Sequence, residues 1–152
     1  VVACPHVASA EQALALSVET LTQLGLSISP EKTKITSFQL TFDFLGFHFS
    51  RRAVSIRDKS VEKFKDRIRS LTIRSHNLDQ QAITKLNRVI SGFAHYFATA
   101  FSTVVNQFFD LDTWIRSRLR CMKFKHISRG DNRRLSNKRL ARMGLVSLSS
   151  FV

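Results

Sequence analysis

Two rows of basic residues are spaced so that each would lie along one face of a helix. The rows are Lys59, Lys63 and Arg67, at i, i+4 and i+8, and Arg116, Arg120 and Lys123, at i, i+4 and i+7. Like charges at this spacing repel one another and mildly destabilise an isolated helix. A polyanion would neutralise them, and nucleic acid phosphates are bound by such side chains. The rows therefore predict a phosphate-binding surface, with a merely solvated charged face as the alternative.

The charge of the whole chain is strongly positive and unevenly placed. Its 152 residues include 24 Lys and Arg and 11 Asp and Glu, which gives a formal charge of +13. Residues 1–50 have a net charge of −2, whereas residues 51–152 have +15. The stretch 116–142 holds eleven basic residues and a single acid, Asp131. Such an excess favours a polyanionic partner, of which nucleic acid is the commonest.

Other kinds of chemistry find less support in the sequence. The acids, Asp43, Asp110 and Asp112 among them, are scattered and do not form the carboxylate set that two-metal nucleotidyl transfer requires. The five histidines have no metal-ligand spacing, and Cys4 and Cys121 lie outside any CxxC pair. We therefore expect no metal or cofactor in this chain, and the sparse cysteines favour a reducing, intracellular compartment (cytoplasmic, bacterial or organellar). No apolar run approaches the roughly 18 residues of a membrane span.

The elements that position these residues can be predicted from the hydrophobic spacing. In the first third, we expect strands at residues 1–4, 33–38, 42–49 and 53–56, with a bend or bulge at Gly46. Between the first two strands, a helix should begin at Ser9, with Gln12 completing a capping box, and end at Gly25. Its apolar face would contain Ala10, Leu14, Val18 or Ser17, Leu21 and Leu24.

Beyond residue 57 the apolar residues recur with a helical period. Three amphipathic helices are predicted at about 58–71, 79–100 and 102–126, the first capped by Asp58. The third should bury Val104 or Val105, Phe108, Leu111, Ile115, Leu119 and Met122. A loop at 128–134 and a short helix at 136–143, closed by Gly144, complete the chain. The order of elements indicates an α+β fold.

Three segments, taken in order, resemble the C-terminal part of a group II intron reverse transcriptase, or maturase. They are residues 24–35 (LGLSISPEKTKI), 42–47 (FDFLGF) and 92–97 (GFAHYF), the last followed by 111–115 (LDTWI) and 118–120 (RLR). The resemblance covers nearly the whole chain. It implies a small antiparallel remnant of the polymerase palm (βαβ plus hairpin), followed by a three-helix thumb bundle.

The resemblance also implies a division of the chain and roles for single residues. Residues 1–56 would be the end of the palm, with motifs D and E, 57–127 the thumb or maturase-specific domain, and 128–152 a basic extension. Motif E, the primer grip, would be Phe44, Leu45, Gly46 and Phe47. Lys32, at the motif D lysine position, would protonate the leaving pyrophosphate as a general acid, or would be an ordinary exposed turn lysine.

The nucleic-acid contacts expected from charge extend beyond the two helical rows. The C-terminal members of this set are Arg133, Arg134, Lys138 and Arg139. If the third helix presents an open basic face, Arg116→Glu combined with Arg120→Glu should weaken duplex binding and leave the fold intact. The expected partner is RNA or an RNA/DNA template–primer duplex. A second expected partner is the N-terminal part of the same protein, its fingers and palm. No contact with a membrane is expected.

The function implied is that of a fragment of an RNA-directed DNA polymerase, which positions a primer and clamps a template–primer duplex or intron RNA. The chain starts at Val1 rather than Met and lacks the Asp-Asp box with which the family binds Mg²⁺, so we expect a piece of a longer protein that is inactive alone. One alternative is a stand-alone RNA-binding maturase that acts in splicing without polymerase activity. The other is part of a CRISPR-associated reverse transcriptase.

Overall fold

A computed structural model describes residues 1–37, 39–126, 128 and 130–152. The predicted strand end at Phe38, the domain boundary at Ile127 and the basic residue Arg129 lie outside the described residues. Tertiary contacts divide the chain into two compact units, Val1–Phe42 and Asp43–Val152. The division at 56/57 and 127/128 into palm, thumb and extension stays a prediction.

The first unit contains one helix, α1 (Val7–Gln23). It begins before Ser9, with His6 at the N-cap and no capping side chain, so the predicted capping box is wrong. Gly25, at φ +72, ends the helix as predicted, and the N–H of Leu26 donates to the carbonyl of Leu21 at 2.8 Å. Ser17 is half-buried and Val18 exposed, so the inner face follows the serine alternative.

The strands predicted at residues 1–4 and 33–38 are corrected by the structure. Residues 1–4 and 33–37 have no regular secondary structure, and Val1 and Val2 are 99% and 66% exposed. A strand needs a neighbour for its backbone N–H and C=O groups, and within the described residues the sheet consists of other segments. The expected βαβ arrangement is therefore not formed, although the α+β class is confirmed.

The sheet has three short antiparallel strands, β1 (Phe42–Phe44), β2 (Phe47–Phe49) and β3 (Val54–Ile56), in that order. What the sequence predicted as one bent strand is a hairpin, because Leu45 and Gly46 both adopt positive φ, +47 and +83. β2 pairs with β3 in the register Phe47–Ile56 and Phe49–Val54. The amide of Gln107 then binds the outer edge of β3, accepting from the Ile56 N–H at 2.8 Å and donating to the Ile56 carbonyl at 3.0 Å.

The three predicted amphipathic helices are confirmed, with shorter ends for the last two. They are α2 (Asp58–Leu71), α3 (Gln80–Phe97) and α4 (Val105–Phe124). Asp79 caps α3 by accepting from the Ala82 N–H at 2.8 Å. Asp58 is not the N-cap of α2; Arg57 holds that position and Asp58 is the first helical residue. The buried stripes of the helices form one core with Phe47 and Ile56 of the sheet; they are Phe64, Ile68, Ile83, Leu86, Ile90, Ala94, Phe97, Phe108, Leu111, Ile115, Leu119 and Met122.

The C-terminal segment folds against these helices. It contains α5 (Asp131–Arg134), α6 (Asn137–Arg142) and a 3₁₀ turn (Leu148–Phe151). The predicted loop at 128–134 is thus wrong for its second half, whereas the short helix before Gly144 is confirmed, with Ser136 as its N-cap. Leu135, Leu140 and Leu148 are 4%, 0% and 0% exposed, so this basic segment contributes to the same core.

Two polar side chains fix the end of the chain to α3 and α4. The amide of Asn87 donates to the Gly144 carbonyl at 2.7 Å and accepts from the Val146 N–H at 3.1 Å. The carboxylate of Asp112 is 3% exposed and accepts from the N–H groups of Leu148, at 2.8 Å, and Ser149, at 3.1 Å. Both side chains satisfy backbone groups that burial would otherwise leave without partners.

Candidate nucleic-acid interface

One face of α2 carries basic side chains that have no ion-pair partner among the described residues. Lys59, Lys63 and Arg67 are all exposed, and none has a side-chain hydrogen bond or ion pair with any described residue. Because α2 buries Phe64 and Ile68 on its other side, these three side chains extend from the surface of the second unit. We call this set the α2 row. Its arrangement, one charge per helical turn, is suited to successive phosphates of a nucleic-acid backbone.

The other two basic side chains of α2, Lys65 and Arg69, form ion pairs with acidic residues of the same helix. Lys65 donates to Glu62 at 2.9 Å, and Arg69 donates to Asp66 at 2.6 Å and to Glu62 at 3.3 Å. The hydrogen bond from Lys65 lowers the pKa of Glu62, and the hydrogen bond to Asp66 raises the pKa of Arg69. The guanidinium of Arg69 also lies 5.6 Å from the centre of the Trp114 ring. These contacts distinguish the paired side of α2 from the α2 row.

The predicted row on α4 is not a single open face. Lys123 is exposed, but the side chain of Arg116 is 23% exposed and Arg120 is 9% exposed overall. Arg116 donates to the Ser147 hydroxyl at 3.1 Å and lies 3.8 Å from the Asp112 carboxylate. The expectation that these side chains form one open basic face is therefore wrong for Arg120 and only partly met by Arg116.

Arg120 holds the C-terminal segment against α4. Its Nε donates to the Leu135 carbonyl at 2.9 Å and its Nη2 to the Asn137 amide oxygen at 2.6 Å. Burial, followed by the nearby charge of Arg116, lowers the pKa of Arg120, and the charge of Asp131 opposes this shift. Replacing this side chain with glutamate would remove its hydrogen bonds to the C-terminal segment and also reverse its charge. The double substitution Arg116→Glu with Arg120→Glu therefore changes the fold as well as any nucleic-acid binding.

The basic residues of the C-terminal segment are of two kinds. Arg133 and Lys138 are exposed and have no side-chain partner in the described part of the chain. Arg134 lies 3.3 Å from Asp131 and stacks over Phe124 at 4.2 Å, and Arg139 donates to the Arg134 carbonyl at 3.5 Å. Arg133 and Lys138 are thus available to an anion, while the other two are engaged in local contacts.

The hairpin turn is fixed from three sides. Its Gly46 carbonyl accepts from the Arg57 N–H at 2.9 Å and the Ser60 hydroxyl at 3.2 Å. The Tyr96 hydroxyl donates to the Leu45 carbonyl at 2.8 Å. Phe47 is buried, whereas Phe44 and Leu45 are 39% and 65% exposed. An apolar tip is thus held at the surface on a rigid turn.

Gly46 has a packing reason as well as a conformational one. A Cβ at this position would lie 3.1 Å from the Ser60 hydroxyl and 3.3 Å from the Phe97 ring. The close approach that glycine permits is therefore to α2 and α3 of the same chain. The roles of Phe44, Leu45, Gly46 and Phe47 toward a primer stay predictions.

Lys32, in the first unit, is exposed in the turn that follows α1, and its role as a general acid also stays a prediction. Across residues 1–37, 39–126, 128 and 130–152, no three His, Cys, Asp or Glu side chains form a group that could hold a metal ion. Asp43 instead lies 2.7 Å from His48, and Asp112 binds the C-terminal backbone. The described residues therefore do not form the cluster of carboxylates that would hold the Mg²⁺ of a polymerase.

Comparison with family models decides the family. The model for the group II intron, maturase-specific domain, matches residues 61–141, which is more than half of the chain. This chain belongs to the group II intron maturase family. The matched part of the maturase domain runs from the first turn of α2 into α6, so it contains all of α3 and α4. A maturase domain implies intron RNA as the class of partner. A search of curated proteins found no match to the chain.

The match is confined to residues 61–141 of the chain. The hairpin and the first unit lie before residue 61, so the segments that resemble motifs D and E are outside the matched residues. In the described portion of the chain, none of the helices combines the length and the apolar character needed to cross a membrane.

Several positioning residues were not identified from the sequence. The side chains of Asn87 and Gln107 bind backbone groups that are 51 to 59 residues away in the sequence. The carboxylate of Asp112 binds backbone groups that are 36 and 37 residues away. The sequence did contain one indication of such a role, a polar residue next to a residue of the predicted buried face, as Asp112 follows Leu111. That signal does not name the partner, because the partner comes from another part of the chain.

Proposed function

We propose that this chain positions a primer and clamps a template–primer duplex or intron RNA, as the palm end and thumb of a group II intron-type reverse transcriptase. The α2 row carries the proposal. It offers three unneutralised charges on one rigid helix, within the second unit that also holds the hairpin. Proteins grip RNA-containing duplexes mainly through phosphates and helix shape, so such a row needs no base-specific contact.

The hairpin supplies the second part of the proposal. Leu45 and Phe44 would contact the end of the primer strand, since both are exposed and the turn is fixed by three hydrogen bonds. A fixed turn contacts a partner with little loss of conformational freedom on binding. Arg133 and Lys138 would add phosphate contacts from the C-terminal segment.

The test measures the affinity of the chain for an RNA/DNA duplex across a range of salt concentrations. We expect a steep fall with salt, and we expect Lys59→Gln with Lys63→Gln to reduce the slope of log affinity against log salt by about two. The matched control is Lys65→Gln with Arg69→Gln, which removes the same charge from residues already paired with Glu62 and Asp66.

If net charge alone drives binding, both double variants should lose affinity equally, and this result would overturn the role of the α2 row. Affinity that does not change between low and physiological salt would overturn the phosphate grip itself. An effect confined to the α2 row variant would support the proposal, because the two variants have the same net charge.

A second candidate is a stand-alone maturase that binds intron RNA for splicing without polymerase activity. The observation in its favour is the position of the family match, which lies at residues 61–141 and leaves the palm motifs outside. It can be separated from the first by adding the chain to a group II intron transcript. Splicing promoted by this chain alone, without duplex binding, would favour the second candidate.

A further inference from the structure

A cavity of about 400 Å³ lies between the C-terminal end of α2, the connection at residues 72–79, and the first half of α3. This volume falls within the range of roughly 300–1,000 Å³ found for small-molecule sites. The α2 row is not part of its lining, so the cavity is distinct from the surface proposed above.

The floor of the cavity is apolar. Met122 of α4 contributes to it and is 1% exposed, and Leu71 and Ala82 are half-buried against the same core. The aliphatic carbons of Leu71 and Ala82, with the buried thioether of Met122 beneath them, provide an apolar surface that suits the flat face of an aromatic ring. The floor therefore favours a planar ligand over a compact ion.

The rim of the cavity is polar, and only part of it is engaged in the fold: Ser70 donates to the Arg67 carbonyl at 2.7 Å and Asp79 accepts from the Ala82 N–H at 2.8 Å. Within the described residues, the side chains of Ser75, His76, Asn77 and Gln81 make no hydrogen bond. Amide side chains both donate and accept, and an imidazole can also stack on a base. Lys85 adds one positive charge that has no ion-pair partner in the described residues, and the carboxylate of Asp79, which also lines the cavity, adds one negative charge.

The wall formed by residues 72–79 is anchored to α4. Arg118 donates to the Thr72 hydroxyl at 3.1 Å and to the Thr72 carbonyl at 2.9 Å. Lys125 donates to the His76 carbonyl at 2.6 Å, and Arg74 to the Cys121 sulfur at 3.1 Å. Because the connection is held at three points, the cavity is formed before any ligand arrives, which lowers the entropy cost of binding.

We propose that this cavity binds a single unpaired nucleotide of an RNA strand. The base would lie on Leu71 and Ala82, above the buried Met122, the amide side chains would bind its edge, and Lys85 would contact its phosphate. Bases that are splayed out of a helix are recognised in this way, by stacking and edge hydrogen bonds. The α2 row would grip the backbone of a duplex, whereas this site would recognise a nucleotide that is not paired.

The two methionines allow a direct test on the intact chain. Met122 lies on the cavity floor, and Met143 is absent from its lining and serves as an internal control. With both methyl groups labelled with ¹³C, we expect ribonucleoside 5′-monophosphates to shift the Met122 resonance and leave Met143 unchanged. Ribose 5-phosphate and inorganic phosphate, which lack a base, should shift neither.

A matched pair of variants tests the role of charge. Lys85→Gln should weaken the affinity by about fivefold, the order expected for one charge-assisted contact. Arg88→Gln removes the same charge from an exposed α3 residue that does not line the cavity, and should have no effect. A Met143 resonance at its usual position in both variants would verify that the fold is retained.

A further comparison tests whether the ligand of the cavity is a nucleotide within RNA or a free mononucleotide. It uses an RNA hairpin with one unpaired nucleotide and the same hairpin with every nucleotide paired. A Met122 shift with the former alone supports the proposal. A shift with mononucleotides but with neither RNA would assign a free-nucleotide site instead and overturn the RNA assignment. No shift with any base-containing probe, or an equal shift with ribose 5-phosphate, would overturn the site. None of these readouts depends on the α2 row, so failure of duplex binding there would be recognised separately.

Discussion

The hydroxyl of Tyr96 on α3 donates a 2.8 Å hydrogen bond to the carbonyl of Leu45 in the hairpin turn. The Tyr96 ring also stacks on Phe47, with centroids 6.0 Å apart and planes inclined by 21°. Tyr96→Phe keeps the ring and removes the hydrogen bond. We expect it to lower the free energy of unfolding by about 0.5–1.5 kcal/mol, measured by urea denaturation.

The same variant should loosen the turn locally. Hydrogen exchange of the Arg57 amide, which donates to Gly46, should be faster in Tyr96→Phe than in the wild type. Amides in the middle of α4 serve as the control and should exchange at unchanged rates. If neither stability nor the Arg57 amide responds, the hydroxyl has no part in fixing the hairpin.

Gly46→Ala should be among the costly substitutions in the hairpin. Its φ of +83 is strained for alanine, and the new Cβ would lie 3.1 Å from Ser60 and 3.3 Å from Phe97. We expect a loss of about 2–3 kcal/mol, the sum of backbone strain and a forced shift of the Phe97 ring. Thermal and urea unfolding of the variant and wild type would measure it.

Substitutions at two other glycines distinguish the contribution of backbone strain from that of the close contact with Phe97. Gly25 has a φ of +72, and an added Cβ would meet nothing within 4 Å, so Gly25→Ala should show only the strain, about 1 kcal/mol. Gly92, in the middle of α3, also has open space within 4 Å of an added Cβ. Gly92→Ala should stabilise the chain by up to about 1 kcal/mol, because alanine is the better helix former. Equal losses at Gly46 and Gly25 would remove the packing explanation.

The helices could be predicted because each repeats the same signal over several turns. The stripe of α4, from Phe108 to Met122, is buried as its spacing indicated. The strand predicted at residues 1–4 had no such repetition, and four apolar residues do not specify a pairing partner. Strand formation depends on a neighbour that local sequence does not identify.

The exposure of candidate site residues could be predicted where it follows from the helix alone. The α2 row lies on a face that no described residue of the second unit covers, and its exposure was predictable from Phe64 and Ile68. Arg120 has the same spacing on α4 but is covered by the segment that contains Leu135 and Asn137. Because that segment was expected to be an extension, the burial of Arg120 could not be foreseen.

The pairing of Glu62 predicts a defined pH dependence. Its pKa is lowered from 4.5 in the folded chain, so the unfolded chain binds the proton more tightly and folding is favoured at higher pH. The stability difference between wild type and Glu62→Gln should be present above pH 4.5 and disappear as pH falls through the lowered value. Urea denaturation at several pH values would measure it, and high salt should reduce it because Glu62 is exposed. A difference that persists at acidic pH would mean that the ion pairs are not its cause.

Asp112 should be essential for docking of the C-terminal turn. Asp112→Ala leaves the N–H groups of Leu148 and Ser149 without their acceptor in a buried setting. We expect a loss of about 2–4 kcal/mol in unfolding free energy and faster proteolysis of the last residues. Asp110→Ala, an exposed acid on the same helix, is the control and should change stability by less than about 0.5 kcal/mol. Equal effects of the two variants would show that helix charge, rather than the buried contact, is responsible.

Arg120 gives the sharpest contrast between a structural and a binding role for the same residue type. Arg116→Glu with Arg120→Glu should destabilise the fold by more than about 3 kcal/mol, because it removes the bonds to Leu135 and Asn137 and buries a carboxylate. Lys59→Glu with Lys63→Glu makes the same change in net charge on the α2 row and should alter stability by less than about 1 kcal/mol. Circular dichroism during thermal unfolding would measure both. Similar unfolding curves for the two variants would mean that Arg120 does not hold the C-terminal segment in solution, and that α4 again qualifies as an open basic face.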